Sequence, residues 1–275
     1  MRQYGRQIKL NLGNEQESIE CSDLRIVFDV TKTITSEPNV AKISVFNLNK
    51  TNRNRITKGE FDRVSLMVGY SDLRLFFVGD IVNQYENRNA TDTLINLECG
   101  DGAYDITYAR MNKTVAANTD DAAIVTETLA TMPRTDRGVI GLPVNKRLPR
   151  GRVLVGNTRD IIAKIANNNN ADWCVQDGSL VMLPKDRYIE GVEGFVISKD
   201  TGMIGSPEKT SNGLKVTCLL NTGLIIGGVV KIESILESFN GVYKITELKH
   251  RGDNMGNDWF TEIICIGGEF QKANG

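Results

Sequence analysis

The only histidine of the 275-residue chain, His250, is the natural starting point for chemistry, because any Ser-His-Asp or Cys-His mechanism would have to pass through it. It follows the alternating run Tyr243-Lys244-Ile245-Thr246-Glu247-Leu248-Lys249 and precedes Arg251-Gly252-Asp253, the position of a packing or surface residue at a strand end. Zinc needs three or four clustered ligands, and Cys21, Cys99, Cys174, Cys218 and Cys265 are too scattered to supply them. They read as buried free thiols, several within strand-like runs such as Lys215-Val216-Thr217-Cys218-Leu219-Leu220. No P-loop, dinucleotide fingerprint or H-E-x-x-H motif occurs, and Gly227-Gly228 and Gly267-Gly268 fit strand ends better than phosphate cradles. The 34 acids allow many carboxylate pairings, which read as solvated charge rather than a glycosidase pair. Arg251-Gly252-Asp253 reads as a polar turn between strands, not an adhesion motif. The sequence therefore assigns no catalytic, cofactor-binding or metal-ligating residue, and it calls for no cofactor.

One local charge excess stands out: Arg134, Arg137, Lys146, Arg147, Arg150 and Arg152 against Asp136 alone. Such a loop can meet nucleic acid or an acidic surface, but it lacks aromatic residues for base stacking, so it reads as a solvated Arg-rich loop. Over the whole chain 33 Lys+Arg face 34 Asp+Glu, which argues against a general nucleic-acid trap. Hydrophobic residues at 40% and charged residues at 24% are the proportions of a globular protein, and no apolar run is long enough to span a bilayer. Met1-Arg2-Gln3-Tyr4-Gly5-Arg6 has no signal-peptide pattern, so folding in a cytosol is expected and the sequons at Asn49, Asn89 and Asn112 carry no weight.

The elements that would position these residues fall into three stretches. Ile8/Leu10/Leu12, Leu24 to Val30, Ala41 to Phe46, Arg63 to Tyr70, Leu73 to Val82 and Thr93 to Cys99 alternate with period two, with a turn at Ser71-Asp72. A short helix capped by Asn49 or Thr51 is expected to run to Lys58 and stop at Gly59. The period then changes. Ile124, Val125, Thr128, Leu129 and Met132 predict a helix with Thr119 as N-cap and Pro133 as terminator, and Ile161, Ile162 and Ile165 predict a second, begun at Asn157 or Thr158. Ala171 to Gln176, Asp177-Gly178 and Ser179 to Leu183 form a type I′ hairpin signature. From Gly213 the chain returns to strands: Leu214 to Leu220, Gly228 to Ile235, Gly241 to His250 and Trp259 to Gly267. The expectation is a mainly β chain with an α+β insert, divided into residues 1–110, 111–200 and 201–275.

Within those stretches, Gly5 to Leu10, Leu24 to Val30, Pro38 to Leu48, Val68-Gly69-Tyr70 and Phe77-Val78-Gly79-Asp80-Ile81 resemble the N-terminal region of bacteriophage baseplate hub proteins. Gly241 to His250, Gly252-Asp253 and Trp259-Phe260-Thr261 are similar to the last barrel of the same hub and late-control tail proteins. The resemblance covers residues 1–105 and 210–268. It implies two tail-tube-type β-barrel domains flanking a smaller α+β module, and a homotrimer forming a pseudo-sixfold ring. It further implies a structural, non-enzymatic role, joining the hexameric tail tube to the trimeric spike or tip and lining the DNA exit channel. Expected partners are the tube and spike proteins, with tape-measure and baseplate-wedge proteins as further candidates. No membrane insertion is expected; the place is the virion tail baseplate, after assembly in the host cytoplasm. A tailocin or other contractile injection machine would share this pattern, and a tail-associated cell-wall hydrolase is the enzymatic rival.

Overall fold

The structure, a computed structural model, describes residues 5–189, 193–267 and 271–273. Met1 to Tyr4 and Gly268, weighed in the sequence, lie outside the described residues. The first block contains β1 (Gln7–Gly13), β2 (Ser18–Cys21), β3 (Ile26–Thr33), β4 (Val40–Phe46), α1 (Lys50–Thr57), β5 (Arg63–Gly69), β6 (Leu73–Asn89), β7 (Asp92–Gly100) and α2 (Ala103–Tyr108). The period-two pattern has its expected consequence: Leu10 and Leu12 of β1, Ile26, Phe28 and Val30 of β3, and Ile43 and Val45 of β4 all enter one core with Leu66, Phe77 and Leu97. A sheet whose alternate residues converge on one cluster from so many strands is curled around it. Asn49 caps α1 by accepting from the Asn52 amide, and Gly59 follows at φ 74°, a left-handed position suited to glycine.

The inserted stretch contains β8 (Arg110–Val115), α3 (Asp121–Leu129), β9 (Asp136–Ile140), β10 (Arg152–Asn157), α4 (Thr158–Asn168), β11 (Ala171–Gln176), β12 (Ser179–Pro184) and β13 (Arg187–Ile189). Its own core holds Ile124, Val125, Ile161, Ile162, Ile165, Trp173 and Leu180. Asp120, not Thr119, caps α3, accepting from the Ala123 amide; Thr119 is drawn away to the Ala116 carbonyl. Asp177 and Gly178 both take positive φ, 51° and 82°, as a type I′ turn requires.

The last block contains β15 (Met203–Thr210), β16 (Gly213–Leu219), β17 (Val229–Glu233), β18 (Gly241–Asp253), β19 (Trp259–Gly267) and β20 (Gln271–Ala273), and it is joined by β14 (Phe195–Ser198), from the end of the expected 111–200 stretch, which pairs with β17. Val216, Ile226, Val230, Ile232, Leu248, Ile263 and Cys265 form its core.

The two β-blocks are parts of one 13-stranded sheet ordered β15-β16-β19-β18-β3-β4-β7-β6-β5-β1-β2, with β14 and β17 attached beside β18. The join is the antiparallel pairing of β18 with β3, from Glu247 opposite Thr33 to Asp253 opposite Val27. β18 is long enough to pair with β17 at its start and β3 at its end, and a register shift between Ile245 and Glu247 marks the handover. A small cluster of Cys174, Val181, Leu183 and Ile189 touches Ile34 and Ile225, so all three stretches meet there.

Candidate functional site

His250, the five cysteines, Arg251-Gly252-Asp253 and Arg134 are held in structural roles. His250 is fully buried within β18, shares a 2.8 Å hydrogen bond between Nδ1 and Thr261 Oγ1, and meets the Phe76 ring edge-on at 4.6 Å. Burial, reinforced by the Lys32 charge, holds its pKa well below the ordinary histidine value. The five cysteines are free and buried. Burial pushes Cys21 up to about 11 and Cys99, Cys174, Cys218 and Cys265 to about 12, so none presents a thiolate. Among the described residues no group of His, Cys, Asp and Glu is arranged to hold a metal ion.

Arg251-Gly252-Asp253 corrects the turn expected from sequence: it is the end of β18. Arg251 pairs with Asp29 at 3.0 Å and Asp253 with Arg25 at 2.6 Å, locking this strand end to β3 and the loop before it. Glycine is required there by space, because a Cβ at Gly252 would lie 2.3 Å from Phe28 Cζ. Arg6 adds a 2.7 Å hydrogen bond to the Gly256 carbonyl and lies 5.3 Å from the centre of the Trp259 ring.

The Arg-rich loop is also corrected at its first member. Arg134 is not solvated: Nη1 donates to Asp80 at 2.7 Å and Nη2 to Asp62 at 2.6 Å, while its guanidinium lies 4.0 Å from the Tyr104 ring centre. Its amide donates to Asp105, a carboxyl that burial raises above the ordinary range and that also accepts from Thr135. This fork ties the inserted stretch to β6 and α2.

A second joint lies at the Asp177-Gly178 turn. Asp101, fully buried, accepts from the Asp177 amide at 2.5 Å and the Gly178 amide at 3.0 Å. Its pKa is pushed up to about 7, first by burial and then by the Asp177 charge. Lys32 reaches both Asp177 oxygens at 2.8 Å and lies 5.3 Å from the Phe76 ring centre, while Asn39 donates to the Val175 carbonyl at 2.7 Å. The line Asp177, Lys32, Phe76, His250, Thr261 thus crosses from the insert through the first block into the last. Lys244 of β18 closes the third side by donating to the Pro184 and Lys185 carbonyls. Sequence reasoning missed these joints because their members lie far apart in the chain and are ordinary charged residues; only the Asp-Gly turn gave a signal.

The arrangement fixes three stretches into one unit. A family model for baseplate hub gp41 matches residues 7–265. The chain belongs to the baseplate hub gp41 family. Among curated proteins none matches it. The tail protein from Neisseria meningitidis MC58 has a similar fold, with a TM-score of 0.66 at 11% identity over 97% of this chain and 98% of that one. The 43 kDa tail protein of prophage MuSo2 from Shewanella oneidensis gives 0.66 at 9% identity over 96% and 98%. The c3393 protein of E. coli, a component of the type VI secretion system with structural similarity to the T4 tail proteins gp27 and gp5, gives 0.61 at 12% identity over 97% and 79%. At such identities the likeness is one of fold. Family membership makes this hub protein a component of the phage tail baseplate, with a structural role.

Proposed function

We propose that this hub protein is a homotrimer whose three chains present six similar β-blocks as a pseudo-sixfold ring. The ring would join the hexameric tail tube to the trimeric spike or tip and surround the path by which DNA leaves. In this reading residues 1–110 and 201–275 are related tube-type barrels, and residues 111–200 are a module inserted between them. A sixfold tube and a threefold spike have mismatched symmetries, and a trimer of duplicated blocks offers near-equivalent contacts on one face and threefold contacts on the other. The observation that carries the reading is the hub family match over nearly the whole chain, on a fold in which two curled β-blocks share one sheet. Among the described residues the sheet also ends in the edges of β15, β2 and β14, each with one paired side, which a ring would cover. Such an interface should bury more than ~1,000 Å². The fold likeness to a type VI secretion component favours one second reading, a hub of a contractile injection machine other than a phage.

Light scattering of the purified chain, alone and with its tube and spike proteins, tests the assembly, and a cryo-EM map of the particle tests its place. A trimer on the tail axis is the expected result. A chain that stays monomeric with both partners and is absent from the axis overturns the reading, and peptidoglycan clearing by the pure protein would favour the hydrolase instead.

A further inference from the structure

The β8 and β10 ribbon carries a feature that the hub role does not use. Among the described residues β10 pairs only with β8, from Arg152 opposite Val115 to Asn157 opposite Arg110. One face of the ribbon enters the insert's core through Met111, Val115 and Leu154. The other presents Val153 and Val155, 60% and 67% exposed, beside Thr114 and Asn112. Among the described residues, no hydrogen bond other than the β8 ladder reaches the backbone of residues 152–156. In an antiparallel pair every second residue turns its amide and carbonyl away from its partner, so the free side of β10 is a template for another strand.

Charge normally blunts such an edge, but here it has one sign only. Lys146, Arg147 and Arg150 lead into β10 and Arg152 opens it; all four are exposed, and among the described residues none is in an ion pair. Neither 110–115 nor 150–157 contains an acid. We propose that β10 is a docking edge for an extended acidic segment of another protein. The segment adds as a third strand beside Val153 and Val155, with its carboxylates against Lys146, Arg147, Arg150 and Arg152. Main-chain bonds supply the pairing, and the two valines, spaced by two, select apolar side chains at alternate positions. A polypeptide fits better than nucleic acid, because residues 134–157 contain no aromatic ring on which a base could stack, whereas the open backbone and the alternating valines are wasted on a phosphate chain.

The probe is a short, capped, fluorescent peptide alternating glutamate and valine, titrated into the full chain by anisotropy. Beside it run a twin N-methylated at alternate residues, a lysine-valine counterpart and a short DNA duplex. The acidic peptide is expected to bind and to slow amide exchange in β10. The N-methylated twin, and the exposed double variant Arg150→Glu/Arg152→Glu, should each weaken binding about tenfold or more. Equal binding of the N-methylated twin would reduce the site to bare charge and overturn strand addition. Tighter binding of the duplex than of the peptide, or no binding of the acidic peptide, overturns the proposal as well. These readouts use the free chain, so they are independent of whether the trimer forms.

Discussion

Replacing Arg134 by methionine keeps most of the side chain's volume and removes its fork, which isolates the joint between the insert and the first block. The Arg134 side chain is 15% exposed, that of Asp80 12% and that of Asp62 44%. Stripping the partner from a fully buried ion pair costs about 3–5 kcal/mol, whereas an exposed pair is worth about 0–1 kcal/mol. Asp80 therefore dominates, at about 2 kcal/mol after allowing for its partial exposure, while Asp62 adds a few tenths and the contact with Tyr104 about 0.5 kcal/mol. The expected loss is about 3 kcal/mol, or roughly 6–12 °C in Tm for a chain of this size. Urea unfolding of Arg134→Met, Asp80→Asn and the double variant measures it. The double variant should be no worse than Arg134→Met, because the carboxylate left unpaired in the single variant is then neutral. Arg134→Lys should fall between, since a point charge serves one carboxylate at a time. If Arg134→Met lies within 0.5 kcal/mol of the parent, or the cycle shows no coupling, the fork does not hold the insert in place.

The remaining predictions concern the other joints. Asp101, raised to about 7 in the folded chain, holds a proton there that the unfolded chain releases near its ordinary value of about 4, so its contribution falls as pH rises from about 4 to about 7. His250 acts in the opposite sense: the unfolded chain gains a proton below about 6.5 that the buried ring refuses, so stability falls as pH drops below that value. Urea midpoints across pH 4–7 should therefore change slope upward with pH in Asp101→Asn and downward in His250→Gln, and parallel profiles would refute both assignments. Gly252→Ala should cost about 1–3 kcal/mol by forcing a methyl into Phe28, with Phe28→Leu restoring part of it, as thermal melts will show. Alkylation without reductant should label no cysteine in the native chain and all five after unfolding; labelling of native Cys218 or Cys265 would contradict their burial.

The period-two runs were legible because burial selects alternate residues wherever one face of a strand is covered, and β1, β3 and β4 bury the Leu, Ile, Phe and Val positions that alternation picks out. The caps of α1 and α4 were legible for a related reason: Asn49 and Asn157 act on amides two or three residues away. Elements without such local marks escaped. β15 is exposed at most positions and β8 buries only Met111 and Val115, so neither imprints a clean alternation, and α2 is a single short turn begun at Gly102 with no side-chain cap. Above all, nothing local in Arg251-Gly252-Asp253 or Arg134 announces partners more than fifty residues away.

That asymmetry bears on how the hub works. The joints that sequence could not reveal are the ones that make three cores into one body: β18 against β3 by backbone bonds, Arg134 by charge, and Asp101 by capping a turn from another stretch. Backbone pairing depends less on side-chain identity than an ion pair does, so the join of the two β-blocks tolerates most substitutions away from Gly252. The insert is held by the small apolar cluster around Ile34 and Ile225 and by a few charged and polar side chains, and one substitution among the latter can loosen it. A perturbation of the insert should therefore leave the β18–β3 seam intact, and hydrogen exchange in Arg134→Met should rise in α3 and α4 while β3 and β18 stay protected. Equal deprotection of β3 would mean that the three cores unfold as one, and that the insert is no separable part of the hub.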